Sequence, residues 1–196
     1  MTGPDLTDDL LSLLLAEDGF DLPGDGPAPI PRLPDGAVVP AAPAQERLWV
    51  LDRVEGPSPA YNLAMILRFG GAADLDRSAL QTALNGLSER HEPLRTDLTE
   101  HDGRPVQRIH PPAPVPLPVE TVTADALHAA ILRTALAPFD LGRGPLFRAR
   151  WFEVAGGPDV LLLAFHHAVV DGWSVAVMIR DLARLYAAAL TGTGAG

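Results

Sequence analysis

Apolar positions recur along this chain with two different spacings, and each change of spacing marks a new element. Leu10, Leu11, Leu14 and Leu15 fall on one stripe of a helical period, which predicts a short helix from Thr7 to Asp18. Thr7 can cap it, Asp8 and Asp9 suit its positive end, and Gly19 stops it. Pro43 suits the first turn of a second helix running through Asp52, with Leu48, Val50 and Leu51 apolar. A third helix is predicted from Asp76 to His91, capped by Asp76, carrying Leu80, Ala83, Leu84 and Leu87, with Pro93 beyond its end. Ala124 to Ala137 forms a fourth, stopped by Pro138. Ser174 can cap a last helix with Val175, Met178, Ile179, Leu182, Leu185 and Tyr186 on one side.

Strand patterns fill the intervals. They run over Tyr61 to Phe69, Leu94 to Glu100, Arg104 to His110, Leu146 to Val154 and Asp159 to His166. Asp102-Gly103 is a hairpin signal between the second and third of these, and Gly156-Gly157-Pro158 joins the last two. A Pro-rich loop covers Pro111 to Pro118. Helices and strands in mixed order predict an α/β or α+β class, a mixed sheet flanked by helices. Leu22 to Pro43 holds seven prolines among small residues, a composition for an extended spacer. The chain thus divides into an acidic helix with its linker (1–42), a folded body (43–190) and a flexible tail (191–196). The first helix either frays or packs on the body, or it docks on a neighbouring domain.

Composition narrows the chemistry. At 196 residues and 47% hydrophobic the chain can bury a core, and a net charge of −10 argues against nucleic acid as partner. Its apolar runs fall far short of the roughly 20 residues that span a bilayer. The acidic start is unlike a signal peptide, so no membrane is expected and the setting is cytoplasmic. There is no Cys, which excludes disulfides and thiolates, and no Lys, because all 15 basic residues are Arg. Schiff-base chemistry and a phosphate-loop lysine are excluded with it. The uniform use of Arg fits the codon bias of a GC-rich genome.

The stretch LLLAFHHAVVDGWS, Leu161 to Ser174, holds the candidate chemistry. Adjacent residues of a strand point to opposite faces, so His166 and His167 do not easily serve one site. That weighs against a metal, which needs three or four ligands, and favours one buried structural ring and one ring facing a cavity. Were the pair alone, two ordinary satisfied histidines would be the better reading. Asp171 and Gly172 follow in a sharp turn that can bring a carboxylate back towards the imidazole. His91, His101, His110 and His128 stand apart and read as ordinary surface or loop residues.

With its flanks, this stretch resembles the active-site motif of condensation domains of nonribosomal peptide synthetases, in the chloramphenicol acetyltransferase-like superfamily. PAQERLWVLDRVEGPSPAYNLA (Pro43 to Ala64) resembles the family's opening motif, with Ala42 where a Ser is usual. RHEPLRT (Arg90 to Thr96) resembles the second motif, and PFDLGRGPLFRARW (Pro138 to Trp151) the segment before the active-site strand. The resemblance covers roughly Val39 to Leu190 and implies the N-terminal lobe of a two-lobed fold, the second lobe being absent from this length. The implied activity is amide formation between donor and acceptor thioesters carried on the phosphopantetheine arms of carrier proteins, with no cofactor bound by the chain itself. The implied partners are carrier proteins, the missing lobe and adjacent synthetase domains, and the face towards that lobe is expected to be apolar. Asp171-Gly172-Trp173-Ser174 resembles the peptide-bond-forming pattern, with L-configured donor and acceptor.

On this reading His167 takes the amine's proton, and His166 supports the site structurally. Asp171 is a buried carboxylate shaping the loop, with Arg95 as its ion-pair partner. Gly172 either brings its N–H near the reacting carbonyl or is a plain turn glycine, and Trp173 packs. The alternatives are an acyl-CoA-dependent acyltransferase of the same superfamily, a non-catalytic module binding carrier proteins or another lobe, and an inactive remnant.

Overall fold

A computed structural model describes residues 33–34, 37–70 and 75–192. The helix expected over Thr7 to Asp18, most of the spacer and the last four residues lie outside these. The described residues from Val38 onward form one compact unit. Its elements are β1 (Val39–Pro40), α1 (Pro43–Glu55), β2 (Asn62–Phe69), α2 (Arg77–Arg90), β3 (Thr96–His101), β4 (Arg104–Ile109), β5 (Val119–Thr123), α3 (Ala124–Ala135), β6 (Phe147–Ala155), β7 (Asp159–His166) and α4 (Gly172–Thr191). Short 3₁₀ turns, Pro59–Tyr61 and Glu92–Arg95, precede β2 and β3.

The strands form two sheets. One is four-stranded in the order β2-β7-β6-β5, antiparallel except for the parallel β5–β6 pair, and the other is three-stranded in the order β1-β4-β3. β7 is central, and its run Val160 to Phe165 is 0% exposed throughout. A strand covered on both faces has no polar face to show, which is why LLLAF does not alternate. On one face Leu161, Leu163, Phe165, Phe147 and Trp151 pack with Leu80, Leu84 and Leu87 of α2 and Met178 and Leu182 of α4. On the other, Val160, Leu162, Phe152 and Val154 pack with Ala130, Ile131 and Ala135 of α3. Phe147 and Phe165, cross-strand neighbours, stack at 5.0 Å between ring centroids.

Local sequence fixes most element ends. Asp76 caps α2 by accepting from Ser78 N–H and Ala79 N–H at 2.8 and 3.0 Å, a contribution of about 1 kcal/mol. In the β3–β4 hairpin Asp102 and Gly103 both have positive φ, 50° and 76°, the conformation a two-residue type I′ turn requires. Several expectations are corrected. Val39 and Pro40, read as spacer, pair with β4. α4 is capped by Asp171 rather than Ser174, and it includes Thr191 of the expected tail, ending at Gly192 with φ 69°. β5, which no pattern signalled, is an edge strand with only Val122 buried. It pairs parallel to β6, and α3 supplies the crossover that such a pair requires.

Two histidines read as ordinary are tied to buried carboxylates. His110 Nε2 lies 2.7 Å from Asp97 Oδ2, and His91 Nε2 lies 2.9 Å from Asp181 Oδ2. The second contact joins the end of α2 to α4. Burial acts to raise the Asp181 carboxyl, but the His91 hydrogen bond and the Arg90 guanidinium outweigh it and leave it below its ordinary value.

Candidate active site

β7 ends at His166, and a turn of five residues leads to α4. Ala168, Val169 and Val170 are buried at 7%, 8% and 3% exposure, so the middle of the turn is held by the core. His167 and Asp171, at its two ends, are exposed. An apolar anchor between two polar ends thus presents them on a fixed backbone.

The two histidines have separate environments. His166 is buried between the rings of Tyr61 and Phe139, each 6.3 Å from its own by centroid. Its Nδ1 accepts from Ala168 N–H at 3.1 Å, which places the proton of the neutral ring on Nε2. Burial, and secondarily the neighbouring His167, pushes its pKa down to about 4. Because the folded value lies below the ordinary 6.5, the unfolded chain takes up a proton first, and stability is full above about pH 6.5 and falls as the pH drops towards 4. In His166→Asn the amide oxygen can replace Nδ1 as acceptor without titrating. Thermal melts should show the parent losing stability between pH 6.5 and 4 and the variant losing less; parallel profiles would rule out His166 as the source.

His167 is held through its backbone, its N–H donating to Tyr61 C=O at 2.8 Å, while Val169 N–H donates to His166 C=O at 3.1 Å. Ala168 C=O accepts from Gln45 Nε2 at 2.9 Å. Nothing in the sequence marks Gln45 for this contact, since a polar residue at the third position of a helix carries no signal of a partner 123 positions away.

Asp171 does not take the place expected of it. It is exposed, accepts from Ser174 N–H at 2.8 Å and from the Ser174 hydroxyl, and these bonds hold its carboxyl below the ordinary range. Among the described residues it forms no ion pair. Arg95 instead donates to His110 C=O and pairs with Glu92 at 3.3 Å. Two residues from Arg95, Asp97 is a buried carboxylate, 1% exposed and held by Arg108 and His110. Trp173, expected to pack, is 84% exposed on the first turn of α4. Gly172 opens that helix, and a Cβ added there would meet nothing within 4 Å.

An open cleft of about 480 Å³ lies apart from the histidine turn, lined by Trp49, Asp52, Arg53, Glu100, Asp140 and Arg143 among others. Burial, then Asp140, raises the Asp52 carboxyl. Among the described residues no group of three or more His, Asp or Glu is placed to hold a metal, and no helix is long and apolar enough to cross a membrane.

Comparison with known proteins bears on the same segment. The family model for the condensation domain matches residues 36–194. The chain is 42% identical over 168 residues to chondramide synthase cmdD of Chondromyces crocatus, covering 82% of this chain and 4% of that protein. It is 42% identical over 182 residues to phosphinothricin tripeptide synthetase PhsC of Streptomyces viridochromogenes, covering 89% and 16%. Among solved structures it is similar to the starter condensation domain of rhizomide synthetase RzmA, with TM-score 0.73, 25% identity and coverage of 82% of this chain and 40% of that one. It is also similar to the X-domain from teicoplanin biosynthesis, with TM-score 0.75, 32% identity and coverage of 86% and 36%. The chain therefore spans a small part of these synthetases and well under half of the solved domains. A histidine turn anchored on a central strand, a mixed sheet with helices on both faces and a family match over most of the sequence lead to one conclusion: this chain belongs to the condensation domain family of nonribosomal peptide synthetases.

Proposed function

We propose that this chain is the part of a condensation domain that carries the amide-forming histidine, His167. The observation that carries the reading is the division between the two rings: His166 is buried and kept neutral, whereas His167 is exposed on a backbone pinned on both sides. The acceptor's α-amine, with a pKa of about 8, is already partly neutral near pH 7, so the difficult parts are placement and charge. The amine nitrogen attacks the donor thioester carbonyl, forming the C–N bond as the carbonyl oxygen takes up charge. His167 receives the proton from nitrogen, the C–S bond breaks as the carbonyl re-forms, and the proton passes to the departing thiolate. The thioesters arrive on phosphopantetheine arms of carrier proteins in the cytoplasm, and the chain itself binds no cofactor. The length that the solved relatives have beyond this chain supplies the second lobe and the other wall of the substrate path.

Gly172 and Trp173 fit this reading as groups facing substrate or the second lobe. Neither the backbone conformation of Gly172 nor crowding around it requires glycine, so its value lies in letting a bound acyl group approach the start of α4. Gly172→Ala should therefore melt like the parent and form amide about tenfold or more slowly, because misplacement of a reacting group by about 1 Å costs up to 10²-fold. An unimpaired rate would make it a turn glycine only.

The direct test supplies the full protein carrying this chain with acyl and aminoacyl thioesters on carrier proteins and looks for the amide by mass spectrometry. Absence of amide with every carrier pair that is demonstrably loaded and bound would overturn the reading. One observation favours a second reading, a binding module: the X-domain also matches in complex with OxyB from teicoplanin biosynthesis. Carrier binding without amide would move the assignment there.

A further inference from the structure

Both backbone polar groups of Ala168 are taken up by side chains. Its N–H goes to His166 Nδ1, and its C=O to Gln45 Nε2 at 2.9 Å. The other end of the same Gln45 amide, Oε1, accepts from Ala42 N–H at 2.8 Å. The orientation of this amide is fixed by chemistry, since a flipped group would set NH₂ against an N–H and oxygen against a carbonyl. Ala42 has no side-chain oxygen to accept from the first turn, so the bond that Ala42 N–H donates to Gln45 is the one half of a capping box that can form at this end of α1. The side chain therefore couples the first turn of α1 to the residue immediately after His167.

We propose that Gln45 is a positioning residue for His167: by clamping the Ala168 carbonyl to α1 it holds the residue that follows His167, and so limits the movement of the turn that carries the imidazole. The proposal rests on the reading of His167 as the group that receives the amine's proton. It is distinct from a helix-capping role, and two substitutions separate them. Gln45→Glu keeps an acceptor for Ala42 N–H, and Glu is a good residue at this position of a capping box. It removes the donor to Ala168 and turns a carboxylate towards a carbonyl oxygen. Gln45→Lys does the reverse, keeping a donor that can reach the carbonyl and losing the acceptor.

The test combines amide hydrogen exchange with amide-forming kinetics on the full protein. In Gln45→Glu, exchange at residues 167–170 should rise at least tenfold while that of α1 stays at the parent level, because the opening is local. Its kcat should fall about tenfold or more with KM for the acceptor unchanged, in keeping with the roughly 10² lost on a 1 Å displacement. Gln45→Lys should fray the start of α1 yet retain most of kcat. Parent-like exchange at 167–170 in Gln45→Glu overturns the proposal, as does faster exchange with unchanged kcat. A parent that forms no amide overturns the catalytic reading and the rate arm with it, while the exchange pattern still decides whether Gln45 holds the turn.

Discussion

Replacing His167 with alanine should lower amide formation by about 10² to 10⁴-fold, the usual worth of a positioned proton acceptor, and leave the melting temperature where it was. The second half of that expectation comes from the structure. His167 is exposed, and the bond that holds it runs from its backbone N–H to Tyr61 C=O, which alanine keeps. Nothing buried is uncovered and no partner is orphaned. Single-turnover rates with loaded carriers, beside a thermal melt, check both halves. A folded variant at the parental rate would remove His167 from the mechanism and leave positioning as the whole of the catalysis.

The largest expected loss of stability lies elsewhere, at Asp97. Its carboxylate is 1% exposed and receives Arg108 Nε and an Arg108 guanidinium NH₂ at 2.9 and 2.8 Å, with His110 Nε2 at 2.7 Å. Arg108 also donates to Gly142 C=O at 3.1 Å, and Leu98 N–H donates to Leu141 C=O at 2.8 Å, so this residue sits where the β3–β4 hairpin meets the 141–144 loop. Breaking a fully buried pair costs about 3–5 kcal/mol. The Arg108 and His110 side chains are 48% and 44% exposed and can be hydrated once released, so Asp97→Ala should cost less, about 2–3 kcal/mol. For a domain of this size that is a fall of about 5–10 °C in melting temperature. Asp171→Ala, by contrast, removes an exposed helix cap and should lower the melting temperature by only about 2–4 °C. Melts of the two variants side by side decide which carboxylate the fold depends on more; the reverse order would overturn the weight given to the Asp97 cluster.

Burial of one carboxylate and exposure of the other are not written in local sequence. A carboxylate, an arginine and a turn were all visible, and the family resemblance paired Asp171 with Arg95. Which acid is buried depends on how hairpin and loop close over it, and Asp97 sits among residues whose pattern reads only as strand. His110 and His91 carry no local sign of their contacts for the same reason, their partners being 13 and 90 positions away. β5 was invisible because a short edge strand with one buried residue carries almost no periodic signal, whereas α2 and the β3–β4 hairpin were legible from a cap, a stripe and an Asp-Gly turn.

The sequence by itself determined the class of fold, the family and the histidine pair, because hydrophobic period, turn chemistry and short motifs are local properties written in neighbouring residues. Strand alternation predicted separate surroundings for the two rings, but β7 ends at His166, so it is the turn beyond the strand that carries His167 out to solvent. Only the tertiary structure decided which ring is buried, that Asp171 caps a helix instead of pairing with Arg95, and that Gln45 reaches the turn beside His167. Those outcomes depend on which groups lose water and which distant partners meet them when sheet, helices and loops pack, and burial is a property of the whole chain.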